Sequence, residues 1–188
     1  MNSPYCGRFQ VTQQFKGSAH DGLDLVGIDS KEIHATVTGK VIYAGWENES
    51  NHKQGFGQFV CILGPDGNYY YYGHMSQIKT KTGAQVKCTD VIGVEGDTGY
   101  SFGSHCHYCV RPKFSAGCFV DVCAISGIPN ALGVYDDGYR PGTTPATPEP
   151  DPEPEKPETP TTTDDVVGYG RIVIGDKEYD VTLKEATD

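Results

Sequence analysis

The sequence predicts an all-β fold, an antiparallel β-sandwich or barrel-like domain over residues 1–140. Three observations carry this. Glycine (24) and tyrosine (12) are abundant in the 188 residues, a composition of turns and strands. Apolar residues alternate in short runs punctuated by glycine. No long Ala/Leu/Glu/Lys stretch is present, and the runs lack the spacing of parallel strand–helix–strand units.

Taken in order, the alternation places strands near Leu23–Val26, Ile33–Ala44, Gln58–Leu63, Tyr69–Gly73, Gln85–Gly93 and His105–Arg111. Thr38-Gly39 interrupts the second run and is expected to turn it back on itself. Pro65-Asp66-Gly67-Asn68 between two runs is a hairpin turn. From 141 to 165, eight of 25 residues are proline, mixed with Thr, Glu and Asp. That segment is expected to be an extended charged linker. Residues 166–188 read as a short β-hairpin turning at Gly175-Asp176-Lys177. A hairpin alone is marginal, so it is expected to be part of a module or an element of homo-oligomerisation through its edges.

Charge narrows the function. The chain carries a net −10. Residues 1–140 hold 11 basic and 13 acidic side chains, and residues 141–188 hold 4 and 12. With no basic stripe to neutralise phosphates, nucleic acid is excluded as a partner. Apolar runs of a few residues exclude membrane insertion through a helix. No signal peptide is visible in Met1-Asn2-Ser3-Pro4-Tyr5. The expected route is cytoplasmic synthesis and action elsewhere, or secretion after loss of a leader. Seven cysteines, an odd number, are read as reduced thiols; Cys118 and Cys123 are near enough in sequence to pair.

The chemistry concentrates in histidines. His20-Asp21-Gly22-Leu23-Asp24 puts a His and an Asp four apart at a strand entry. Tyr72-Gly73-His74-Met75-Ser76 puts a His at the end of an aromatic strand. Ser104-His105-Cys106-His107-Tyr108 puts two histidines on one face of a strand, because side chains alternate. Zn²⁺ in hydrolases takes three N/O ligands and keeps a position open for water. Two imidazoles and a carboxylate make such a set, and two further histidines can move protons.

These segments, with Gly39-Lys40-Val41-Ile42-Tyr43-Ala44-Gly45 and Val91-Ile92-Gly93-Val94-Glu95-Gly96-Asp97-Thr98-Gly99, occur in the order and spacing of a known family. The stretch from His20 to Arg111 resembles the lysostaphin/LytM-type zinc metalloendopeptidases. The resemblance implies one zinc ion held by His20, Asp24 and His107. It implies His105 as general base, and His74 as the group that orients water or stabilises the oxyanion. It implies peptides of bacterial peptidoglycan as substrate. The order of catalytic domain, proline-rich linker and C-terminal piece resembles a bacteriophage endolysin or a virion-associated lysin. The rival readings are a non-catalytic wall-binding or amidase-activating scaffold, and a structural virion component on the same fold.

The sequence departs from the family in three places. Residues 11–17 lack the Tyr and Arg that many relatives carry before the first motif. Cys106 stands where an apolar residue is usual and should face away from zinc. Cys109 shares the face of His105 and His107 and reads as a small hydrophobe under the site. His34 reads as structural and His52 as part of a solvated groove wall. At least two of Tyr69–Tyr72 belong to the core. Gly96-Asp97-Thr98-Gly99 reads as a tight turn rather than an aspartic-protease motif, since no second copy exists.

Overall fold

A computed structural model describes residues 3–138, 166–174 and 177–184. The chain divides into two compact units, residues 1–145 and 146–188. The linker expected over 141–165 lies outside the described residues, as do Gly175 and Asp176 of the C-terminal turn.

Unit one is built of strands β1 (Arg8–Gln13), β2 (Gly22–Gly27), β3 (Glu32–His34), β4 (Gly39–Trp46), β5 (Gln58–Leu63), β6 (Tyr69–Tyr72), β7 (Gln77–Ile78), β8 (Gln85–Val86), β9 (Val91–Val94), β10 (Cys106–Arg111) and β11 (Gly133–Asp136). One short helix, α1 (Val122–Ser126), is capped by Asp121, which accepts from the Cys123 and Ala124 amides, and closed by Gly127 at φ 72°. Eight strands form one sheet in the order β11-β1-β2-β10-β6-β5-β4-β8, and three form a second, β3-β9-β7. The pairings are antiparallel in both. In unit two, β12 (Val166–Ile174) pairs antiparallel with β13 (Lys177–Lys184), the hairpin the sequence predicts.

The alternation locates the core. Leu23 and Leu25 of β2, Val60 and Ile62 of β5, Tyr70 and Tyr72 of β6, and Cys106, Tyr108 and Val110 of β10 share the main cluster with Ile33 and Ile92 of the small sheet. The intervening residues Phe59, Cys61, Tyr71 and Cys109 form a second cluster on the other face. Within the core, Thr36 Oγ1 lies 2.7 Å from the Tyr72 hydroxyl and 3.0 Å from that of Tyr108. Both buried phenols are thereby satisfied.

Three expectations need correction. The second run does not fold back at Thr38-Gly39: β3 pairs with β9 in the small sheet, whereas β4 pairs with β5 and β8 in the large one. The chain crosses between sheets there. The run Gln85–Gly93 is two strands, split at Thr89, whose φ of 82° breaks the extension. Strands β1 and β11 were not expected, yet they flank β2; each offers too short an alternation to be read alone.

Leu25 is fully buried between the sheets. Leu25→Ala is expected to lower stability by about 3 kcal/mol in denaturant melts, through lost burial and the cavity left behind.

Candidate active site

The same alternation builds the site. Because Cys106, Tyr108 and Val110 face the core, His107, Cys109 and Arg111 face the other side. On β2, Leu23 and Leu25 point inward and Asp24 outward. The register sets His107 directly opposite Asp24, and His107 Nδ1 lies 2.9 Å from Asp24 Oδ1. His20 enters from the turn just before β2. Its Nε2 lies 3.1 Å from Asp24 Oδ1 and 3.2 Å from His107 Nδ1. A side chain at Gly22 would put its Cβ 2.7 Å from His107 Nε2 and 2.6 Å from the Tyr108 carbonyl; only glycine leaves the ring its place.

Three ligand-type atoms thus converge. Zinc bound tetrahedrally at about 2.0–2.1 Å spaces its ligand atoms by about 3.3 Å. The observed separations of 2.9, 3.1 and 3.2 Å match that spacing to within a few tenths of an ångström. The donor set fits one zinc ion.

Each imidazole is oriented by a bond from its far nitrogen. His20 Nδ1 lies 2.7 Å from the Gln14 carbonyl, His74 Nδ1 2.7 Å from that of Thr98, and His105 Nδ1 2.7 Å from that of Gly103. A carbonyl accepts only from N–H, so in each neutral ring Nε2 is left as a lone pair. His107 reverses the polarity: its Nε2 lies 3.2 Å from Asp21 Oδ1, leaving Nδ1 toward Asp24. Arg111 fixes that carboxylate in turn, donating from Nη2 at 2.7 Å and Nε at 3.2 Å to Asp21 Oδ2. The guanidinium is packed over the rings of Phe56 and Tyr71, at 5.1 and 4.8 Å from their centroids.

His74 and His105 complete the group, with ring centroids 4.6 Å apart. His105 Nε2 stands 3.6 Å from Asp24 Oδ1. His74 adopts φ 61°, a left-handed conformation that costs a non-glycine residue energy. Its amide is held there by the Phe56 carbonyl at 2.8 Å.

Electrostatics agree with a cation-seeking centre. Burial pushes the Asp24 carboxyl up, but bonds to His107 and His20 outweigh it and hold the group well below the carboxylate range. Asp21 is held down in the same way by His107 and Arg111 against its own burial. Burial pushes the His107 ring down, yet bonds to Asp21 and Asp24 raise it well above the ordinary imidazole value. His74 is lowered to about 4, first by burial and then by His105 and His107; it is neutral near pH 7.

The centre lies on the floor of a cleft of about 810 Å³. All five predicted residues meet there: His20, Asp24, His107, His105 and His74. His105 joins Gly96 by an isolated bridge just before β10 rather than lying within a strand. Cys106 faces the core, as expected. Cys109 is buried with Phe59, Cys61 and Tyr71. Its sulfur also clusters with Asp21 and His107, where Arg111 already supplies the positive charge. His34 is structural, its Nδ1 2.8 Å from the Thr89 carbonyl, and His52 stacks on Trp46 at 3.6 Å and 4°. Sequence reasoning missed Asp21 and Arg111. The signal was available for Arg111, which the period of two places on the face of His107.

A two-histidine, one-carboxylate centre flanked by two oriented imidazoles, open to a cleft on an antiparallel sheet, defines a class: the mononuclear metallopeptidase type. The description of peptidase family M23 matches residues 18–117, more than half of the chain, and the chain belongs to that family. Lysostaphin of Staphylococcus simulans is 33% identical over 93 residues, covering 49% of this chain and 18% of that protein. The glycyl-glycine endopeptidase ALE-1 of Staphylococcus capitis is 33% identical over 93 residues, covering 49% of this chain and 24% of its own length. The chain thus spans about a fifth to a quarter of these curated relatives. Among solved structures, the catalytic domain of S. simulans lysostaphin has a TM-score of 0.52 at 28% identity, covering 63% of this chain and 89% of that one. A mutant catalytic domain of the prophage-encoded M23 protein EnpA from Enterococcus faecalis has a TM-score of 0.53 at 28% identity, covering 64% and 94%.

Two outcomes follow from the geometry. Asp21→Asn should weaken zinc binding by roughly 10- to 100-fold in chelator competition, because the bond orienting His107 loses its charge. In chelated protein, NMR of the His74 ring should show a midpoint near 4 rather than about 6.5. The unfolded chain then takes up a proton that the folded ring refuses, so this group lowers stability as pH falls from about 6.5 toward 4.

Proposed function

We propose that the protein is a zinc-dependent endopeptidase that hydrolyses cross-links or stem peptides of bacterial peptidoglycan. The observation that carries this reading is the convergence of His20 Nε2, Asp24 Oδ1 and His107 Nδ1 within 3.2 Å of one another, with His105 and His74 facing the same point. Zinc held there supplies Lewis-acid polarisation of the scissile carbonyl.

The chain's own residues do the rest. Bonds from Nδ1 leave Nε2 of both His105 and His74 as acceptors. An attacking water has two protons, and each meets one imidazole. His105, 3.6 Å from Asp24, accepts the transferred proton and returns it to the leaving amine. His74, neutral through burial, orients the water by accepting its other O–H.

A setting in phage lysis or a virion is in keeping with the prophage-encoded M23 protein among the similar structures.

The test is digestion of purified peptidoglycans of several cross-link types, read by mass spectrometry with and without chelator. New amine termini at one bond, lost on chelation, are expected. His107→Ala should reduce the rate more than roughly 10³-fold with loss of zinc. His105→Ala should retain zinc and lose about 10²- to 10⁴-fold. Full activity in His107→Ala would overturn the ligand assignment, and no cleavage by zinc-loaded wild type would overturn the reading.

A further inference from the structure

Glu95 is buried, its side chain fully removed from solvent, and it lies outside the histidine centre. Its two oxygens receive four donors. Oε1 accepts from Lys31 Nζ at 2.8 Å and from Ser104 Oγ at 2.7 Å. Oε2 accepts from the Tyr5 hydroxyl at 2.6 Å and the Gly27 amide at 2.8 Å. These donors come from three separate parts of the chain: the N-terminal segment, the end of β2 with the turn after it, and the residue before His105. Burial alone would push the carboxyl up, but the four donors hold it below the ordinary value and ionised.

Three of the donors are architectural. Tyr5 is fully buried, and a Cβ at Gly27 would come within 2.0 Å of the Ser30 carbonyl and 2.6 Å of the Tyr5 ring, so β2 ends on a glycine to admit both the turn and the tyrosine. Glu95 ties this N-terminal segment to the end of β2 and to Lys31. The fourth donor is different, because Ser104 immediately precedes His105.

The loop between Gly96 and His105 is held unevenly. Its first half is joined to a neighbouring loop: the Gly99 amide donates to His52 O at 3.0 Å, and the Tyr100 amide to Gly55 O at 2.8 Å. In its second half, Ser101 Oγ and the Gly103 amide bond to Asp97 of the loop itself, and Phe102 is 88% exposed. Two hydrogen bonds tie that half to the body of the protein. The His105 amide donates to Gly96 O at 3.0 Å, and Ser104 Oγ donates to Glu95. The pairs Glu95-Gly96 and Ser104-His105 thus meet twice, once through backbone and once through side chains.

We propose that Glu95 is a positioning residue: through Ser104 it fixes the backbone of His105, and through Tyr5 it makes the N-terminal segment part of the same clamp. The proposal rests on the reading of His105 as the group that accepts the proton. A ring whose Nδ1 is anchored from its own loop, by the Gly103 carbonyl at 2.7 Å and Ser101 Oγ at 3.4 Å, is aimed no better than the loop is held. Small misplacements of a proton acceptor lower turnover more than substrate binding.

The test uses Ser104→Ala and Ser104→Thr in the full-length, zinc-loaded protein, because Glu95→Gln sets an amide donor against other donors and endangers folding. Four quantities are measured: kcat and KM on the cleaved peptidoglycan, zinc content, and native-state hydrogen exchange at the His105 amide relative to Leu25. In Ser104→Ala, kcat should fall roughly tenfold and the His105 amide exchange roughly tenfold faster, the scale of one bond to a charged acceptor. KM should stay within about twofold, and Ser104→Thr should restore both readouts. An unchanged kcat and unchanged His105 exchange in Ser104→Ala would overturn the clamp. So would equal losses in kcat and zinc content. If wild type cleaves nothing, the peptidase reading fails while exchange at His105 still decides whether Glu95 holds the segment.

Discussion

The structure depends on the two-residue period of β10. One half of the strand, Cys106, Tyr108 and Val110, is inserted in the core. The other half, His107, Cys109 and Arg111, furnishes a metal-type ligand, a buried floor and the cation that steadies Asp21. A shift of register by one residue would exchange the two sets. The core therefore enforces the site: burial of Tyr108 and of Leu25 on β2 is the same event as presentation of His107 opposite Asp24. For Asp24 and His107, geometry good to a few tenths of an ångström is inherited from strand pairing; His20 joins them from the turn that leads into β2.

Polar groups near this floor are each answered by another. Asp21 is answered by Arg111 and His107, and Asp24 by His20 and His107. One nitrogen of each of three rings, Nδ1, is committed to a carbonyl. Carboxylates crowded among imidazoles favour a cation, and they raise the His107 ring above the ordinary imidazole value against its burial. A proton on that ring competes with metal, so affinity falls as pH falls. The neutral His74, pushed the other way by burial, keeps the opposite side of the centre free of charge. Environments that drive two imidazoles apart in pKa assign them different roles.

Much of this was legible in the sequence. The period of two placed His105 and His107 together, Cys106 on the core side, and β5 at Gln58–Leu63, where the structure has it. The spacing of four between His20 and Asp24 sufficed to bring them to one point, because the second lies early in a strand and the first ends a turn. What escaped has physical causes. The partner of Asp21 is Arg111, 90 residues away, and side-chain pairing at that separation is a property of the sheet order. The crossing between β3 and β4 was read as a turn back, since Gly39 marks a break without saying which sheet follows. Strands β1 and β11 carry few apolar residues each and gain stability from pairing, β1 on β2 and β11 on β1, a tertiary effect. Glu95 stood within a quoted motif but had no visible role, since its four donors lie 9 to 90 residues distant.

The fold also has to tolerate the site. Four imidazoles and two carboxylates, drawn from water onto one face of a sheet, are destabilising groups unless satisfied. The left-handed backbone of His74 adds strain. The apolar cluster of Phe59, Cys61, Tyr71 and Cys109 beneath them is small beside the main core, so the outer face contributes little burial of its own. Stability must come from the inner face, and at the outer face from whatever cation binds. A metal that binds only the folded chain stabilises it by RT ln(1 + [L]/Kd), about 4 kcal/mol at a thousandfold excess over Kd. Folding and metal binding are therefore linked through the strand that serves both.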